Sequence, residues 1–189
     1  MSSIQTVGII GSGTMGNGIA QACATSGIRV VMVDIAQAAV DKGLATVAGS
    51  LDRLIKKEKL TAEGKATALA LIKGSTSYDD LKGAQLVIEA ATENEGLKVK
   101  ILQQLDGLLA PEVIVATNTS SISITKLAAA TQRADRFIGM HFFNPVPLMA
   151  LVEIIRGLQT SDATHDAVKA LAERLGKSPI TVKNAPGFV

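Results

Sequence analysis

The sequence predicts an α/β fold built on a doubly wound, mainly parallel sheet, and three observations carry that expectation. Short apolar runs rich in β-branched residues alternate with helical stretches along the 189 residues. The first run ends in a glycine-rich turn, "GSGTMG", at 11–16. The second run closes on an acid, Asp34. Strands this short and this continuously apolar are buried on both faces, so helices must cover both sides of the sheet.

The elements follow in order. "IQTVGII" (4–10) is the first strand, and "TMGNGIAQACATSG" (14–27) a helix of small residues ending at Gly27. "IRVVMVD" (28–34) is the second strand. From about Ala36 to Lys59 the apolar positions Val40, Leu44, Val47, Leu51, Leu54 and Ile55 recur with helical spacing, and a shorter helix follows Thr61. This helical excursion, about 36–72, interrupts the strand–helix alternation. "AQLVIEA" and "EVIVATN" are strands separated by the amphipathic helix "GLKVKILQQLDGLL". "RFIGMHF" and "LVEII" are further strands, followed by a capped helix over Asp162–Leu175 and a last strand, "PITVK". The single domain expected is 1–189.

Composition removes several function classes. Net charge is +2 and there is no Trp, so nothing points to nucleic acid or an anionic membrane. No apolar run approaches the roughly 20 residues of a membrane span, and the N-terminus lacks the layout of a signal peptide. Cys23 is the sole cysteine; a buried apolar role is expected, with no metal site and a reducing, cytoplasmic home.

Gly11-x-Gly13-x-x-Gly16 stands between a strand and a helix, and Asp34 lies 18 residues past Gly16. This is the arrangement of a Rossmann-type dinucleotide site. Gly11 permits the turn, Gly13 lets the backbone approach a pyrophosphate, and Gly16 lets the helix pack on the strand. Ser12, Thr14 and Met15 complete the candidate cofactor loop. A carboxylate at Asp34 accepts ribose hydroxyls and repels a 2′-phosphate, and no arginine follows it, so NAD is favoured over NADP. FAD uses the same fingerprint; the polar residues further along favour hydride chemistry.

Ligands of open α/β sheets sit beyond the carboxyl ends of the strands. There the sequence places Thr92, Glu93 and Lys98, then Asn118, Thr119, Ser120 and Ser121, then His141 and Asn144. Glu93 and Glu95 also suit a helix N-terminus, and Ser120 and Ser121 also suit a cap for a helix starting near Ser123. His141 needs a hydrogen-bonding partner if buried. Glu153 meets it if 137–142 and 151–155 are neighbouring strands. An imidazole backed by a carboxylate is an acid–base arrangement; a purely structural pair stays open. His165, in the polar stretch "SDATHDAVK", reads as a surface residue. Arg53, Lys56, Lys57 and Lys59 in "RLIKKEK" read either as a solvated helix face or as an anion-attracting one.

The segments "VGIIGSGTMGNGIA", "LVIEAATENEGLKVKI", "ATNTSSISIT", "GMHFFNPVPLMALVEII" and "NAPGFV" resemble, in this order, the L-3-hydroxyacyl-CoA dehydrogenase family, and within it the bacterial 3-hydroxybutyryl-CoA dehydrogenases. The resemblance implies NAD-dependent interconversion of (S)-3-hydroxyacyl-CoA, 3-hydroxybutyryl-CoA above all, and 3-ketoacyl-CoA. It implies His141 as acid–base, Glu153 as its orienting carboxylate and Ser120 between substrate and nicotinamide. Asn144 matches a position near the nicotinamide ribose, Glu93 and Lys98 cofactor-side positions, and Asp34 the adenosine ribose acid. Ser50 and Lys57, with Lys56 beside it, match positions that contact CoA. The family's motif "APGFV" leads into a helical dimerisation domain that also completes the acyl pocket; it is expected to be missing after 189. A homodimer is expected of the full-length protein, with the fragment able to stand as a monomer, binding NAD but poorly active alone. The start at Met1 suggests a stand-alone product rather than a segment of a multifunctional fatty-acid oxidation protein. The competing readings are a non-catalytic NAD-binding protein of this fold and a related dehydrogenase of free hydroxy acids. Acyl-chain length and metabolic direction are not set by the sequence.

Overall fold

The computed structural model describes residues 3–184; of "NAPGFV", all but Asn184 lies outside the described residues. Eight strands form one sheet in the order β3-β2-β1-β4-β5-β6-β7-β8. The strands are β1 Thr6–Ile10, β2 Arg29–Val33, β3 Ile72–Ser75, β4 Leu86–Glu89, β5 Ile114–Thr117, β6 Phe137–Phe142, β7 Leu151–Arg156 and β8 Ser178–Lys183. All neighbours pair in parallel except β6 and β7, which are antiparallel. The strand order reverses between β1 and β4. A crevice for a ligand opens at such a point.

The helices are α1 Thr14–Thr25, α2 Gln37–Lys56, α3 Ala62–Ala70, α4 Glu95–Leu108, α5 Ile124–Ala128 and α6 Asp162–Arg174. Strand alternation divides the apolar residues between two cores. Val7, Ile9, Val30, Met32, Ile88, Met140 and Ile154 face α1, α2, α3 and α6, which bring Ile19, Leu51, Ala68 and Val168. Ile10, Val33, Val87, Val115, Phe137 and Ile155 face α4 and α5, which bring Leu102, Leu105 and Leu127. Each buried Ile or Leu stabilises by roughly 1.5–3 kcal/mol. The sheet is thus doubly wound, as the strand–helix alternation predicts.

Three local expectations change. α2 stops at Lys56 rather than Lys59, because Glu58 turns left-handed (φ 59) and Lys59 N donates back to Leu54 O. β3, "IKGS", carries too few apolar residues to be read as a strand, yet it pairs with β2 through Val30–Ile72 to Val33–Ser75. Gly74 in it lies where a Cβ would come within 2.4 Å of Val40 Cγ1, so the strand and α2 meet at a bare backbone. His165 is not a free surface residue: its side chain is 14% exposed, and Nε2 meets Thr181 Oγ1 at 2.7 Å, tying α6 to β8. Cys23 is fully buried, and desolvation pushes its thiol up to about 12, which leaves it unreactive.

Candidate functional site

The glycine turn is built for a ligand that the side chains leave room for. Gly11 has φ 103, and a Cβ there would lie 2.7 Å from Ala90 O, so the β1 turn and the β4 turn touch backbone to backbone. At Gly16 a Cβ would fall 1.8 Å from Gly11 O; the helix can pack on the turn only without a side chain. At Gly13 a Cβ would find nothing within 4 Å. Gly13 caps α1 with no side-chain hydrogen bond, and no acid stands in the first turn. The free amides of a helix N-terminus therefore face open space, a setting that suits a phosphate.

The groove beside this turn measures about 370 Å³ and runs from Asp34 past Gly13 and Thr14 to Ala91, Glu93 and Asn118. Asp34 ends β2 at one extreme of it. Its Oδ2 accepts from Ser12 N (2.9 Å) and Ser12 Oγ (2.7 Å), and its Oδ1 from Ile35 N (2.7 Å). Partial burial pushes its pKa up, but these bonds outweigh it and hold the carboxyl below its ordinary value. Asp34 is thus a carboxylate fixed in the ionised state at the edge of the groove. The open Gly13 amide face, the uncapped helix and the ionised Asp34 together fit a dinucleotide.

At the other extreme, Glu93 lies outside α4. Its Oε2 accepts from Thr119 Oγ1 (2.9 Å) and its Oε1 from Ser120 N (3.3 Å), which joins the turns after β4 and β5. The helix-end roles belong to other residues. Asn94 caps α4 by accepting from Leu97 N, Glu95 supplies the first-turn charge, and Ser123 caps α5. Ser120 is therefore an exposed hydroxyl free of a capping duty. Lys98, expected on the cofactor side, is fully buried. Its ammonium pairs with Glu89, which is also 0% exposed and accepts from Thr117 Oγ1 and Ala91 N as well. A buried ammonium needs such a carboxylate, and the structure places Lys98 beneath the groove rather than on its lining.

β6 and β7 put His141 directly opposite Glu153 in register. Both side chains lie on the α4–α5 face, by alternation from Phe137 and Ile155. His141 Nδ1 is 3.5 Å from Glu153 Oε1, and the side chains are 16% and 3% exposed. Among the described residues, neither His141 Nδ1 nor Glu153 Oε2 has a hydrogen bond. The Phe143 ring is 4.5 Å from the imidazole, centroid to centroid. Asn118 Oδ1 accepts from Phe142 N at 2.8 Å, pinning the end of β6 to that of β5. In the sequence Asn118 is marked only by its position at a strand end, among several polar residues.

A second cavity, about 310 Å³, lies between α1, the end of α2 and the loop after β6. Ser50 and Lys57 line it with Arg53, Thr14, Gln21, Asn144 and Val146. Ser50 and Arg53 share one face of α2, and Lys57 caps its C-terminus beside them in the cavity wall. Lys56, expected beside Lys57, does not line the cavity because one residue along a helix turns its side chain by about 100°. Arg53 joins them, a position that charge alone does not distinguish from Lys56 or Lys59. Thr14 belongs to both cavities, so they meet at the start of α1. The Asn144–Pro145 peptide is cis. Among the described residues no group of three or more His, Cys, Asp or Glu is placed to hold a metal ion, and no helix is long and apolar enough to cross a membrane.

The family model "3-hydroxyacyl-CoA dehydrogenase, NAD binding domain" matches residues 6–185. A 3-hydroxybutyryl-CoA dehydrogenase of Bradyrhizobium diazoefficiens is 50% identical over 98% of this chain and 64% of its own length. The fatty acid oxidation complex subunit alpha of Colwellia psychrerythraea is 42% identical over 98% of this chain and 26% of its own. The crystal structure of (S)-3-hydroxybutyryl-CoA dehydrogenase PaaH1 from Ralstonia eutropha superposes with a TM-score of 0.98 at 76% identity, covering 99% of this chain and 66% of that one. The chain thus spans somewhat under two thirds of the length of the Bradyrhizobium and Ralstonia dehydrogenases.

Proposed function

As the chain belongs to the family of NAD binding domains of 3-hydroxyacyl-CoA dehydrogenases, we propose that it serves the NAD-dependent interconversion of (S)-3-hydroxyacyl-CoA and 3-ketoacyl-CoA. The preferred substrate in this reading is 3-hydroxybutyryl-CoA, the substrate named for relatives that match nearly the whole chain. The observation that carries the reading is the His141–Glu153 register pair at the strand ends, in the same molecule as a groove fitted for a dinucleotide.

NAD, when bound, supplies the hydride acceptor for the oxidation and the donor for its reverse. Gly13 and the start of α1 would hold its phosphates, Asp34 its adenosine ribose and Glu93 its nicotinamide end, whereas Asn144 lines the second cavity rather than this groove. His141 moves the proton. Nδ1 faces Glu153, so Nε2 is the atom left to take the proton of the substrate's 3-hydroxyl or to return it to the ketone. Glu153 keeps the proton on Nδ1 in the neutral ring and supports the imidazolium that forms. A separation of 3.5 Å without a formed hydrogen bond is compatible with this role, since such bonds often tighten only with substrate in place. Ser120 offers its exposed hydroxyl to the substrate. Ser50, Arg53 and Lys57 give the second cavity a basic rim for a phosphorylated thioester carrier.

The test is NADH oxidation by the intact protein with acetoacetyl-CoA and, separately, with free acetoacetate. The expected result is turnover with the thioester and at least a hundredfold less with the free acid. Equal rates would support the free-acid reading instead, and NADH binding without turnover of either would support a non-catalytic one.

A further inference from the structure

The loop 143–150 joins β6 to β7 and forms one wall of the second cavity through Asn144, Val146 and Leu148. It has few backbone bonds of its own. Leu148 N and Met149 N both donate to Pro145 O, and Ala150 O accepts from Ser178 N. Two of its other carbonyls are held by one side chain from elsewhere: Lys177 Nζ donates to Val146 O at 2.6 Å and to Met149 O at 2.9 Å. Lys177 follows α6 in the turn to β8, just after Gly176 (φ 73).

This ammonium is partly buried, and desolvation pushes its pKa down. Among the described residues no carboxylate lies within 4 Å of it. A charge taken from water and set only against neutral carbonyls adds little net stability. What it does supply is directional: two donors fix two points of the loop. On its other side the loop packs on α1, where a Cβ at Gly18 would come within 2.9 Å of Val146 Cβ. Val146 is accordingly held between the helix that opens the nucleotide groove and the Lys177 ammonium.

We propose that Lys177 is a positioning residue for substrate: its ammonium clamps Val146 and Met149 and so sets the wall against which an acyl-CoA lies. This rests on the reading of the second cavity as the acyl-CoA site. Lys177 has no contact with the glycine turn, Asp34 or Glu93, so its effect should be confined to one of the two ligands.

The experiment uses the intact protein and its Lys177→Met and Lys177→Arg variants. Affinities for acetoacetyl-CoA and for NADH are titrated separately, and amide hydrogen exchange is followed across 144–150. Lys177→Met is expected to weaken acetoacetyl-CoA about tenfold, the loss of one or two hydrogen bonds, with NADH affinity within about twofold and faster exchange at Leu148 and Met149. Lys177→Arg, which keeps several donors, should restore most of the acetoacetyl-CoA affinity. Unchanged acetoacetyl-CoA affinity in Lys177→Met overturns the proposal. So does a proportional loss of both ligands together with lowered melting temperature, the mark of a merely structural role. A wild type that binds NADH but not acetoacetyl-CoA overturns the acyl-CoA reading of the cavity itself, a result distinguishable from the other two.

Discussion

His141 and Glu153 stand directly opposite each other across the antiparallel pair β6–β7, Nδ1 3.5 Å from Oε1. That relationship depends on register. A slip of one residue in either strand would send one of the two side chains to the α1–α6 face. Register here is held from several sides: Asn118 fixes Phe142 N, Gly139 abuts Ile124 and Ile155, and β8 pairs with β7 through Glu153–Ile180. The pair is thus placed by the sheet and not by the mobility of a loop.

The first prediction follows from that placement. His141→Ala should lower turnover of acetoacetyl-CoA by about a hundredfold to ten-thousandfold, the usual span for a lost acid–base group. NADH affinity should stay within about threefold, since the imidazole is no part of the glycine turn. Glu153→Gln keeps shape and removes charge, so its loss should be smaller than that of His141→Ala. Steady-state rates paired with NADH titration check both variants; a His141→Ala protein with wild-type turnover would remove His141 from the chemistry.

Much of this was legible in the sequence because it depends on backbone chemistry. The glycine spacing, the acid closing β2 and the alternation of strand and helix are all local signals, and a doubly wound parallel sheet follows from them, though its strand order does not. The His141–Glu153 pairing was legible only as a condition, since adjacency of two strands is a long-range fact. What stayed hidden depends on side-chain partners far along the chain. Lys98 looked like a cofactor ligand because its position is right; only the buried Glu89 beneath it turns the ammonium inward. Lys56 and Lys57 are equivalent as charges and differ only by helix phase. Lys177, 31 residues from Val146, gave no local sign of its contact.

A second prediction separates two glycines of one motif. Gly13→Ala should leave the fold intact, since its Cβ enters open space and its φ of −69 suits alanine. It should nonetheless weaken NADH by tenfold or more, because under the proposed function that open space is where the phosphates would approach. Gly16→Ala should destabilise the protein by on the order of 3 kcal/mol, as its Cβ would fall 1.8 Å from a backbone oxygen. Urea unfolding and NADH titration of both proteins give the two readouts. Equal loss of stability in both would contradict the division of roles.

The third prediction concerns the buried pair beneath the groove. Lys98→Met leaves the Glu89 carboxylate without its cation and should cost about 3–5 kcal/mol. Adding Glu89→Gln should recover part of that loss, because the amide can still accept from Thr117 Oγ1 or Ala91 N. The double variant is therefore expected to be more stable than Lys98→Met alone. Chemical unfolding of the two single variants and the double closes the cycle; additive losses would mean that the two side chains do not act as a pair.

The last prediction turns on Ser12 and pH. Desolvation raises the pKa of Asp34, yet the Ser12 amide and hydroxyl and the Ile35 amide lower it further, so the folded-state value lies below the ordinary 3.8. A depressed carboxyl stabilises the fold above its unfolded pKa, and the contribution fades as pH falls through the folded value. Ser12→Ala removes one donor, so the folded value should move back up toward the ordinary one. The stability gap between wild type and Ser12→Ala should then be full at pH 7 and narrow below about pH 4. Urea unfolding at pH 7, 5 and 3 measures it. A gap of the same size at pH 3 and pH 7 would assign the effect to lost packing at Ser12, whose hydroxyl also reaches Ala39 O at 2.8 Å. NADH affinity at pH 7 gives the functional arm: Asp34 stays ionised in both proteins but loses a restraint, so a weakening of about threefold to tenfold is expected, the worth of about one hydrogen bond.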